Sequence, residues 1–209
     1  MSHDDFAVEP VEGLPERPPE GEAILWQGRP DWWALTKSAL AFWWVIGYFA
    51  VLTLWRFLTV VDQLPLMQAI AATIPMLVLG LVVAGLLILT ALIQARATVY
   101  TVTNRRIAMR IGAALTVTLN LPYRQIERAD LDLRADGTGT IALTTLGDTR
   151  LSYLVCWPHV RPWHFQTKPA LRCVPDAAHV AQIVSEAAAT RISVPEVSRQ
   201  ITPAPVAAE

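Results

Sequence analysis

Two long stretches without a charged residue constrain this chain more than anything else in it. Ser38 to Trp55 lies uncharged between Lys37 and Arg56, and Gln63 to Ala95 lies uncharged before Arg96. In the first, Phe42, Trp43, Trp44, Tyr48, Phe49 and Trp55 are spread with aliphatics around the whole helical wheel, so the helix has no wet face. At about 1.5 Å per residue it reaches most of the way across a bilayer. Arg56 can snorkel outward and extend the span to about Val60. The second stretch is longer than the roughly 20 residues a perpendicular helix needs, and too short for two helices and a turn. It predicts one span from about Thr73 to Gln94, led in by a kinked or interfacial segment around Pro65 and Pro75. The expected membrane region is therefore 22–96, with spans at about 38–60 and 73–95.

Composition agrees. The chain is 53% hydrophobic and 17% charged, against about 25% charged for an ordinary soluble domain. That excludes a disordered or collagen-like chain and speaks against a plain soluble enzyme. Residues 1–21 are acidic and carry Pro10, Pro15, Pro18 and Pro19, a composition that predicts a disordered tail and lacks the pattern of a secretory signal. Lys37 and Arg29 flank the first span and Arg96, Arg105, Arg106 and Arg110 follow the second, while the short connection offers only Asp62 beside Arg56. The positive-inside rule then puts both termini in the cytoplasm. No lysine block points to nucleic acid.

After Arg96 the texture becomes β. Thr98–Val102, Arg106–Ile111, Leu115–Leu121, Ile126–Leu133, Thr140–Thr145 and Arg150–Val155 are short β-rich runs, separated by turns such as Asp136-Gly137-Thr138-Gly139. A loop with several prolines and tryptophans, Trp157 to Pro169, precedes a helix from about Asp176 to Arg191, whose Val180, Ile183, Val184 and Ala187 share one face. Six or seven strands closed by one helix describe a pleckstrin-homology (PH)-like β-barrel over 97–191, and 192–209 reads as a second disordered tail. The expected fold class is two transmembrane helices followed by a cytoplasmic PH-like barrel with a C-terminal helix.

No residue set suggests catalysis, so no enzyme is expected. Cys156, His159 and His164 are three potential zinc ligands, but a closed site needs a fourth, which Cys173 supplies only if the loop folds back. The expectation is no metal, no cofactor and two ordinary half-buried thiols. All four histidines lie outside the spans, which disfavours pigment ligation through His. Arg105, Arg106 and Arg110 admit two readings: contact with anionic headgroups or acidic client loops, or topology and turn chemistry alone. Trp157 and Trp163 either anchor a partner or cap the barrel core. Gly80 and Ala84, with Gly85 beside them, offer a weak small-xxx-small surface for close helix contact.

Three motifs carry a resemblance. Trp26-Gln27-Gly28-Arg29-Pro30 resembles the W-x-G-x-P segment of bacterial membrane proteins with a PH-like domain. Tyr100-Thr101-Val102-Thr103-Asn104-Arg105-Arg106 resembles that domain's opening Y-x-x-T-x-x-R strand, and Gly137-Thr138-Gly139-Thr140-Ile141 its G-x-G-x-I turn. Within that group, the segment 21–33 and Leu121-Pro122-Tyr123-Arg124-Gln125-Ile126 are most similar to the PuhB-type photosynthetic complex assembly proteins of purple bacteria. The resemblance implies a non-catalytic assembly factor of the inner or intracytoplasmic membrane. Such a factor binds immature reaction-centre or core light-harvesting subunits, and the spans could also pair as a homodimer. The rival reading is a general membrane PH-like module that binds anionic lipid or an envelope protein.

Overall fold

The computed structural model describes residues 11–113, 116–146, 152–161 and 167–193. Its apolar helical part is a hairpin. After a short helix α1 (Trp32–Ser38), N-capped by the Asp31 carboxylate on the Ala34 N–H, the chain enters α2 (Phe42–Val60). It turns through 61–65 and returns as α3 (Leu66–Ala71) and α4 (Ile74–Ala97). The break at Ala72–Thr73 divides the long apolar stretch as its prolines predict, with Pro75 in the first turn of α4, where an amide N–H has no helical acceptor to lose. Two helical segments, Phe42–Val60 and Leu66–Ala97, are long and apolar enough to cross a membrane, and most of their surface faces outward.

Among the described residues the β-rich part is two antiparallel sheets and not a closed barrel. One has the order β1-β2-β3-β4, from β1 (Ile24–Gly28), β2 (Val99–Thr103), β3 (Arg106–Ile111) and β4 (Val117–Pro122). The other has the order β5-β6-β7, from β5 (Ile126–Leu133), β6 (Gly139–Thr145) and β7 (Ala170–Val174). Alternate side chains of both sheets, among them Tyr100, Val102, Ile107, Met109, Ile141 and Leu143, meet in one core. The helix α6 (Ala177–Ser193) closes that core with Val180, Val184 and Ala187, so the sheets are joined by packing instead of by a continuous ladder.

β1 was not anticipated. It precedes the hairpin in sequence yet pairs with β2, which follows it, so Gln27 lies opposite Thr101 and Gly28 opposite Tyr100. This pairing brings the two ends of the hairpin to the same side of any membrane it crosses. Residues 11–21, expected to be mobile, lie on the folded unit. Leu14 is fully buried, and Gly13 sits so close to Val99 that a Cβ there would come within 2.6 Å of it. The expected strand at 150–155 is corrected in its described part to a helical turn, α5 (Tyr153–Cys156). The strand that flanks β6 opposite β5 is instead β7, just ahead of the last helix.

The three motifs have structural reasons. Trp26, on β1, packs against the core. The Thr103 hydroxyl accepts from the N–H groups of Arg105 and Arg106, closing the β2–β3 turn. Gly137 takes a positive φ of 79° in the β5–β6 turn. Gly139 lets the start of α6 approach, since a Cβ there would lie 2.5 Å from that of Ala177.

Candidate functional site

The hairpin is rooted in the β-rich unit through a buried polar cluster. Thr98 follows α4 directly, and its hydroxyl lies 3.0 Å from His159 Nε2; the Tyr100 hydroxyl lies 2.6 Å from His159 Nδ1. The Arg172 amide donates to that hydroxyl at 3.1 Å, and the hydroxyl also lies 3.5 Å from the Arg172 carbonyl, so the phenol, the imidazole and the Thr98 hydroxyl form one hydrogen-bonded chain. The Arg172 guanidinium donates to the carbonyls of Pro158 at 3.1 Å and of Ser38 at 3.2 Å. Ser38 also touches Cys173 at 3.2 Å through its hydroxyl, and the Asp31 N–H donates to the Cys173 carbonyl. Both ends of the hairpin, Ser38 before α2 and Thr98 after α4, are thus tied to the same strand and loop.

Burial, with the positive charge of Arg172 nearby, depresses the His159 pKa to about 3, so the ring is neutral at physiological pH. Both its nitrogens are engaged, which takes His159 out of the Cys156, His159, His164 grouping as a free metal ligand. His164 and Trp163 lie outside the described residues. Cys156 and Cys173 are buried rather than half-buried. Sequence reasoning missed Tyr100, Thr98 and Arg172. The signal available was a tyrosine at the head of the Y-x-x-T-x-x-R motif with a histidine elsewhere in the chain.

The three arginines divide. β2 carries the chain about 16 Å from the end of α4 before turning, at roughly 3.3 Å per residue, so Arg105 and Arg106 sit at its far end instead of beside α4. Arg105 donates to the Glu20 carbonyl, and Arg106 Nε lies 2.9 Å from the nearly buried Glu22 carboxylate. Arg110 returns opposite Val99 and is buried. Trp157 is partly exposed beside α5. In the hairpin, Gly80 and Ala84 are buried, and a Cβ on Gly80 would meet the Phe49 side chain at 3.1 Å, so this pair is spent on the α2–α4 contact. Gly85 faces open space.

The outward face of α2 is more distinctive. Trp44, Tyr48, Val51, Trp55 and Leu58 recur at steps of four and three residues and are all well exposed, Trp44 the most at 83%. That spacing makes one continuous stripe, with tryptophans roughly 16 Å apart along the helix. It suits interfacial anchoring at its ends and helix docking along its length.

Residues 35–188 match the bacterial PH domain family. The chain belongs to that family. The matched region starts after β1, so the strand that completes the first sheet of this family member lies upstream of it. Over 200 residues, 94% of either chain, the protein is 45% identical to a 23.7 kDa Rhodobacter capsulatus protein described by its place in the puhA 5′ region. It is also similar to the crystal structure of a DUF1696 family protein with a pleckstrin-homology domain from Shewanella loihica. That match has 11% identity, 44% of this chain and 71% of that chain covered, and a TM-score of 0.30, too low to carry an inference.

Proposed function

We propose that this protein is a non-catalytic assembly factor of photosynthesis that reversibly binds immature subunits of the reaction centre or core light-harvesting complex in the membrane. The observation that carries this reading is the 45% identity, over nearly the whole chain, to a protein of the puhA 5′ region. The resemblance of segments 21–33 and 121–126 to PuhB-type assembly proteins points the same way. The hairpin supplies a surface for a client helix along Trp44, Tyr48, Val51, Trp55 and Leu58, and the rooted β-rich unit faces the client's extramembrane part on the same side. The basic residues around the hairpin root favour the cytoplasmic side of an inner or intracytoplasmic membrane.

Pulldown of tagged full-length protein from its native membranes during active assembly tests this, with a near-infrared spectrum and a mass-spectrometric subunit list on one eluate. Reaction-centre or core-antenna polypeptides with bacteriochlorophyll absorption are expected, reduced several-fold by the triple substitution W44A/Y48A/W55A. A colourless eluate holding only this protein and lipid would sink the proposal.

A further inference from the structure

The outer face of the β5-β6-β7 sheet carries a second polar site that the assembly reading does not use. A pocket of about 270 Å3 is lined by Asp130, Asp132, Arg134, Thr140, Arg161 and Arg172. Asp130 is already satisfied: Arg128 Nε lies at 2.5 Å and Arg161 Nη1 at 2.9 Å from its carboxylate. Burial alone would raise its pKa, but these two arginines outweigh burial and hold it below the usual carboxylate range. Arg134 Nη2 donates to Thr140 at 3.1 Å, and both terminal nitrogens of Arg172 are held by carbonyls. Yet Arg134 Nη1 and Arg172 Nε, both buried, have no acceptor among the described residues, and Arg172 is 4% exposed. Buried guanidinium N–H groups are costly to leave unmatched, and three guanidiniums against two carboxylates leave the pocket positive.

We propose that this pocket holds a phosphate oxyanion, from a phospholipid headgroup or from free phosphate, on Arg134, Arg161 and Arg172. Planar guanidiniums donating from several directions suit a group with several acceptor oxygens, and the rigid fixing of Arg172 presents its donor in advance. The position favours the headgroup. Arg172 touches the carbonyl of Ser38, four residues before α2, and Lys37 on the same short helix reaches Asp136 at the end of the pocket's sheet. The site therefore lies where a hairpin that crosses a bilayer leaves it.

The test uses the full chain in mild detergent, probed with phosphatidylglycerol and, separately, with inorganic phosphate, followed by native mass spectrometry and thermal melting. The wild type is expected to retain phosphatidylglycerol and melt higher with it, while Arg134→Gln and Arg161→Gln bind it about tenfold more weakly. Arg161→Gln leaves the Arg134–Thr140 contact intact and keeps the result readable if Arg134→Gln fails to fold. Arg105→Gln, in the β2–β3 turn, should bind as wild type. Stabilisation by inorganic phosphate but not by the lipid, lost in the same variants, assigns the site to free phosphate. Equal binding by wild type and both pocket variants, or no binding of either probe, overturns the proposal.

Discussion

Tyr100 is the residue on which the hairpin root turns. Its hydroxyl takes the Arg172 N–H and lies 2.6 Å from His159 Nδ1, so Tyr100→Phe leaves a buried amide and an imidazole nitrogen each without a partner. A loss of roughly 2 kcal/mol is expected in denaturant melts of the full chain, with little change in chain length exposed. His159 adds a pH dependence whose sign follows from its depressed pKa. An unfolded histidine protonates near 6.5, but the folded one resists until about 3, so stability falls as pH drops through that window and is flat above it. Between pH 6.5 and 5, above most carboxylate titration, the loss should be roughly 2 kcal/mol. Melting of wild type against His159→Gln checks this: the variant's curve should be flatter over that range, and parallel curves would refute the assignment.

At the scale of elements, the α2–α4 contact depends on small residues on one face. Gly80→Leu should force Phe49 aside and cost about 1–3 kcal/mol, whereas Gly85→Leu, facing open space, should stay within about 0.5 kcal/mol. Thermal melts of the two variants in one detergent make the comparison, and equal effects would mean that Gly80 does not set the contact. Helix existence was legible here because uncharged length and prolines act locally. Which small residues face inward was not, since Gly80 and Gly85 differ only in what lies opposite. Arg106 gives the same lesson: a basic residue on a turn reads as surface charge until Glu22, brought in from the other side of the hairpin, is seen to pair with it.

At the scale of the whole molecule, the β-rich unit is discontinuous in sequence. A fragment of residues 97–191 would lose β1 from the β2 edge, α1 from β7 and the Gly13 segment from beside Val99 of β2. It is expected to aggregate or melt without cooperativity, and linking residues 11–39 ahead of it should restore a cooperative transition by circular dichroism. A stable, cooperative 97–191 fragment would show that β1 is dispensable.

The amino-acid order alone determined the two apolar spans, the break between α3 and α4, most strands, the last helix and the PH-like character. Each depends on neighbours a few residues apart, through hydropathy, period and turn chemistry. Tertiary structure decided what joins across distance. β1 completes the sheet from before the hairpin, β7 replaces the expected strand at 150–155, the sheets stay separate, and Thr98, Tyr100, His159 and Arg172 meet at the root. A five-residue strand and a buried polar group carry little local signal, because hydrogen bonds and ion pairs are made by partners up to 135 residues away.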